Sequence, residues 1–303
     1  MITNHLGEFA ALLTAVFWTF TALAFTDAGH RIGSLAVNFW RLVIGITLLT
    51  AFAWIYYDMP IPVGIPTDAL IWLALSGFVG IFLGDLFLFK AFTIIGPRVS
   101  LLIMSLSPPL AAFISWFSMG EKLTYWDLVG MTLTMTGIIM VILKGTKAEG
   151  RNMFFSLRHS PKGVFFALLG AIGQASGLVM SKLGVLKAPN AFSATQIRVV
   201  AGMIGFIILI TFLKRWKPVI LSIKNARAAA SLSIGSFFGP FLGISFSLIA
   251  VSYANPGIVQ TIVSINPILI IPFSVWFFKE KITWREVIGA VIAVAGVMVF
   301  FVV

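Results

Sequence analysis

Apolar runs of about 20 residues, separated by short clusters of charge, proline and glycine, recur along the whole of this chain. An α-helix rises about 1.5 Å per residue, so about 20 apolar residues cross a hydrocarbon layer of about 30 Å. Divided at its punctuation, the sequence predicts ten such helices, at residues 6–26, 34–57, 69–95, 99–119, 125–143, 163–186, 191–213, 228–253, 257–278 and 284–303. The first run is of full span length and no basic segment precedes it, so it reads as mature structure rather than as a cleavable signal. The longest connection, the basic linker 144–162, separates a first five-helix repeat at 1–143 from a second at 163–303.

The two repeats are copies of one unit. Gly120-Glu121-Lys122-Leu123-Thr124 returns 159 residues later as Lys279-Glu280-Lys281-Ile282-Thr283, and Gly80, Gly84, Pro97, Pro108, Gly130 and Gly137 fall on Gly239, Gly243, Pro256, Pro267, Gly289 and Gly296. Each half holds an odd number of spans, so the second must enter the membrane from the opposite side. The fold expected is therefore an all-α membrane protein, its ten transmembrane helices arranged as two inverted five-helix repeats with a cavity between them. Glycines spaced by four or seven residues share a helix face, and they read as packing surfaces rather than phosphate loops.

Composition supports a lipid setting: 59% of the residues are apolar and 10% charged, and the mean hydropathy is +1.05, too little polar surface to coat a soluble globule. A net charge of +11 in a soluble protein would suggest nucleic acid. Here the basic residues sort by loop, and no nucleic-acid partner is expected. Of the 21, fifteen lie in connections on one face: Arg31, Arg98, Lys144, Lys147, Arg151, Arg158, Lys162, Lys214, Arg215, Lys217, Lys224, Arg227, Lys279, Lys281 and Arg285. Lys122 and Lys187 lie in connections on the other face, and Arg41, Lys90, Lys182 and Arg198 fall within spans. The positive-inside rule then makes the linker face cytoplasmic and places both termini outside, in a multi-pass inner membrane protein. The segment 213–227, basic and apolar by turns, is suited to lie along the inner surface.

Ten spans in two halves, with Ser107-Pro108-Pro109 and Asn266-Pro267 in the fourth and ninth, resemble the drug/metabolite transporter superfamily, specifically its EamA-type members. Trp18, the segments Phe39-Trp40-Arg41 and Gln196-Ile197-Arg198, and the Gly-Glu-Lys-Leu run followed by Gly130 and Gly137 support the resemblance. It implies a secondary transporter that exports small metabolites, often amino acids, through a central cavity reached alternately from each side. Members of that family commonly keep their termini in the cytoplasm, which the charge count here reverses. Gln174 stands where the second repeat would mirror Trp18.

An ionisable side chain at the bilayer centre costs about 2.5–3.5 kcal/mol on insertion scales, so each one calls for a reason. Asp85 lies ten residues from the end of its span, near the midplane, while its repeat mate is Ile244. It reads as a carboxylate that couples protons or binds an amine; the alternative is a structural acid paired with Lys90 or a neighbouring helix. Lys90 is close enough to an interface to snorkel, a reading weighed equally with a substrate role. Arg41 and Arg198 occur in both repeats, which favours scaffold over substrate. Lys182, eight residues after Gln174, matches a spacing at which the family often carries a lysine; it reads either as cavity-facing or as snorkelling to a nearby interface. Gln174, Gln260 and Asn266 complete the polar candidates, with Ser264 four residues from Gln260 on one helix face. Trp18 is chosen for its family position and Trp40 because it adjoins Arg41.

The three histidines, His5, His30 and His159, lie outside the spans, and the chain has no cysteine, so an integral-membrane enzyme is disfavoured. No Gly-rich Lys-Ser/Thr loop is present, leaving a proton gradient or exchange to drive transport, with no cofactor. The function expected is export of a small metabolite, an amino acid or similar amphipathic compound, by alternating access. The alternatives are an organic-cation efflux carrier and, in another class, a channel. Zwitterion, cation and anion all remain open as substrates.

Overall fold

The computed structural model describes residues 5–142, 160–278 and 283–302. Most of the predicted linker and the recurring Lys279-Glu280-Lys281-Ile282 lie outside them. Every regular element among the described residues is a helix. The first half comprises α1 (Leu6–Ile32), α2 (Ser34–Tyr57), α3 (Thr67–Ser76), α4 (Asp85–Met104), α5 (Ser107–Met119) and α6 (Tyr125–Ile142). The second comprises α7 (Pro161–Val185), α8 (Ala191–Phe212), a short α9 (Trp216–Ser222), α10 (Ala226–Ser236), α11 (Ile244–Tyr253), α12 (Pro256–Val263), α13 (Asn266–Phe278) and α14 (Trp284–Val302). A π-helical turn, Gly77–Gly84, joins α3 to α4, and another, Phe237–Gly243, joins α10 to α11.

Local chemistry explains the helix ends. Asn190, Asn225 and Asn255 accept from the backbone N–H of Ser193, Ala228 and Gly257 at 2.8, 3.1 and 2.8 Å, capping α8, α10 and α12. The recurring motif is partly a capping box. Thr124 and Asp127 exchange bonds of 2.7 and 3.2 Å at the start of α6, and Thr283 and Glu286 exchange bonds of 2.6 and 3.4 Å at the start of α14. Gly120 closes α5 at φ +69°, a left-handed conformation that favours glycine.

Nine helices among the described residues are long and apolar enough to cross a membrane. The predicted fourth span is broken: the chain leaves the helix at Ser105–Leu106 and the remaining α5 has 13 residues. The ninth is broken at the equivalent place, Ser264–Ile265. Both second segments then open on proline within the first turn, where a missing N–H costs no helical bond. The expected turn between spans three and four also differs, since α4 runs on through residues 96–98. In the second half the chain does turn there, at Ala254 and Asn255. Gly96, the repeat mate of Asn255, has no side chain with which to cap a new helix.

The packing is that of inverted repeats. A Cβ built on Gly130 would stand 3.0 Å from the carbonyl oxygen of Gly296, and one on Gly289 would stand 2.8 Å from that of Gly137, so α6 and α14 run antiparallel in close contact. The repeat operation exchanges these two contacts, as a two-fold axis in the membrane plane requires. The halves also interlock. Gly173 and Gly177 of α7 press on Gly84 and Gly80, while Trp18 and Thr21 of α1 meet Gly243 and Gly239.

Candidate functional site

The π-helical turns and the breaks before α5 and α13 converge on one cavity of about 310 Å3 between the halves. That is the small end of small-molecule sites, about 300–1,000 Å3. Met104, Ser105, Val263 and Ser264 bring both helix breaks to its wall, so irregular backbone sits where it lines a cavity. Of the sequence candidates, Trp18, Arg41, Asp85, Gln174, Arg198, Gln260 and Asn266 line it together.

Its polar centre is the Arg41–Asp85 ion pair, whose side chains are 8% and 14% exposed. Arg41 Nη2 donates to one carboxylate oxygen of Asp85, and Gln174 Nε2 donates to the other at 2.9 Å. Three helices, α2, α4 and α7, are thus tied to one carboxylate across the boundary of the halves. Asn266 Oδ1 accepts from Thr19 Oγ1 at 3.1 Å, joining α13 to α1.

Arg198 is placed differently. It is 6% exposed, with Nη2 3.7 Å from where a Cβ on Gly80 would lie. Its Nε and Nη1 have no hydrogen-bond partner among the described residues.

Three candidates lie away from the cavity wall. Trp40 is one residue, and so about 100°, round the helix from Arg41; its Nε1 donates to Val219 O at 2.8 Å, fastening α9 to α2. Lys90 is exposed, about 140° round the helix from Asp85. Lys182 is buried but turned to the face where residues 6 and 302 lie, with Nζ 2.6 Å from Glu121 Oε1 and 2.8 Å from Ala254 O. Ala254 is also packed against Gly7. Ser105 and Ser247 on the cavity wall, and Thr19 bonded to Asn266, are polar groups that the sequence reading did not select. Ser105 alone had a signal, as the repeat mate of Ser264.

A cavity at the interface of two inverted bundles, lined by broken helices and a buried ion pair, defines a membrane transporter. The profile of the EamA-like transporter family matches residues 5–143 and 161–302, and the chain belongs to that family. It is 25% identical over 296 residues to human solute carrier family 35 member G1, covering 96% of this chain and 77% of the relative. It is 23% identical over 300 residues to an uncharacterized transporter of Archaeoglobus fulgidus, covering 95% of each. A solved crystal structure superposes at a TM-score of 0.75 over 98% of this chain and 96% of the other, at 18% identity, a likeness of fold alone. The relatives are named as transporters, and this chain is not an enzyme.

Proposed function

We propose that the protein is a secondary transporter that exports a small metabolite by alternating access, driven by a proton gradient or by exchange. The observation that supports this reading is the cavity itself, which lies between two bundles that share one architecture and point opposite ways, an arrangement suited to opening toward either side in turn. In the described conformation Lys182 ties α7 to Glu121 and to the end of α11, which closes the exit on the face of residues 6 and 302. Opening that side breaks these contacts while the opposite side closes.

The linker face is cytoplasmic in this proposal, since the sequence assigns fifteen basic residues to the connections and span ends of that face. Trp18, Gln260 and Asn266 contact the substrate, and the Arg41–Asp85–Gln174 cluster couples occupancy to the movement of the halves. Cells that make the protein and cells that lack it, challenged with toxic metabolite analogues, test the reading. Producing cells should tolerate at least one analogue and hold less of it. Equal accumulation across a broad panel would count against export.

A further inference from the structure

Among the described residues, three ionisable side chains line the cavity: Arg41, Asp85 and Arg198. Arg41 and Asp85 neutralise one another, so the wall carries one uncompensated positive charge. The repeats explain why. Arg41 and Arg198 are mates, and the position that would offer Arg198 a carboxylate, as Asp85 does for Arg41, is Ile244. Arg198 and Ile244 both line the cavity. A guanidinium presents a planar fork of donors, and burying it without an acceptor is costly unless something supplies one. Among the described residues its Nε and Nη1 have no acceptor and no carboxylate forms an ion pair with it.

We propose that Arg198 is the anion-binding residue of the cavity and that the transported compound is a small organic carboxylate, its anionic group taking the place that symmetry would give to a second aspartate. A carboxylate matches the guanidinium fork in a bidentate fashion. It carries the single charge needed to leave the occupied cavity neutral, whereas a phosphate monoester carries more. The remaining polar groups argue against an amine on the substrate. The one carboxylate that lines the cavity among the described residues is paired with Arg41 and also accepts from Gln174, so its charge is already compensated and an ammonium group meets no unpaired anion there. Simple hydroxy- or oxo-carboxylates are favoured over zwitterionic amino acids, and both over organic cations.

This assignment rests on the transporter reading, and counterflow in proteoliposomes separates the two. The full chain is reconstituted and preloaded with compounds of three to eight carbons from three panels matched in skeleton: hydroxy- and oxo-carboxylates, the corresponding amino acids, and the corresponding amino alcohols. Exchange should favour the carboxylate panel. Arg198→Gln should lower it at least tenfold, and Arg198→Lys should restore part of it. Ile244→Asp gives Arg198 an internal partner, so it should abolish carboxylate exchange in a protein at least as heat-stable as wild type, which guards against loss through misfolding. Exchange of amino alcohols with the carboxylates idle would overturn the anion assignment while leaving the carrier standing, as would wild-type exchange in Arg198→Gln or Ile244→Asp. No exchange with any panel would remove both.

Discussion

Trp18 and Gln174 occupy the same point in the two halves. A Cβ on Gly243 would lie 3.4 Å from Trp18 Nε1, and a Cβ on Gly84 would lie 3.3 Å from Gln174 Nε2. One scaffold position therefore presents a large aromatic wall on one side of the cavity and an amide on the other. The amide engages Asp85, whose own mate is Ile244, so the scaffold is symmetric and its polar lining is not.

Replacing Gln174 tests this division of labour. Gln174→Leu frees Asp85 Oδ1 and removes a hydrogen bond to a charged group, a loss of about 1.5–3 kcal/mol. Its melting temperature should fall, and amines that wild type ignores should become competitors of exchange. Unchanged selectivity would show that the bond does not screen Asp85 from the substrate.

Asp85→Asn leaves Arg41 without its counter-ion, and removing one partner of a buried pair costs about 3–5 kcal/mol. Folded yield and transport should both fall. Adding Arg41→Gln should recover much of the stability through relief of the stranded charge, yet leave transport at least tenfold below wild type. Recovery of both would make the pair a structural brace only.

The bundle was largely legible in the sequence, because span length, punctuation and a displaced repeat each report on lipid and packing alone. Seven of the ten polar and aromatic candidates line the cavity, but their pairings are not legible in the sequence. The sequence offers Asp85 either Lys90, five positions away, or a neighbouring helix as partner, and it is Arg41 on a different helix that pairs with it. Helix rotation decides such questions: Trp40 and Arg41 are adjacent in sequence and face different surroundings. Lys182 was readable as an intramembrane cation, but its attachment to Glu121 depends on how the end of α7 meets the connection before α6. The break at Ser105 was hidden because proline marks where α5 begins and not where α4 ends.

Gly137→Leu and Gly296→Leu should reduce folded yield before they alter selectivity. A Cβ on Gly296 would stand 2.8 Å from Gly130 O, and overpacking costs about 1–3 kcal/mol or more where backbone is the obstacle. Size-exclusion profiles of the detergent-extracted variants check this, with a monodisperse wild-type peak from either variant as the contrary result.

Orientation follows from charge. A reporter fused after Val303 should read as extracytoplasmic and one placed within 144–162 as cytoplasmic. The opposite pattern would reverse the assignment of the faces and leave the fold intact.

The central claim is that one cavity opens to each side in turn, and the absence of native cysteine allows a direct test. Ser105→Cys and Ser264→Cys place single thiols on the cavity wall, and a membrane-impermeant maleimide can be added to either face of oriented vesicles. The account predicts that Lys182→Met, which unties the face of residues 6 and 302, raises labelling from that face and lowers it from the linker face. Labelling that is equal from both faces and indifferent to Lys182→Met would indicate a continuous pore and contradict alternating access.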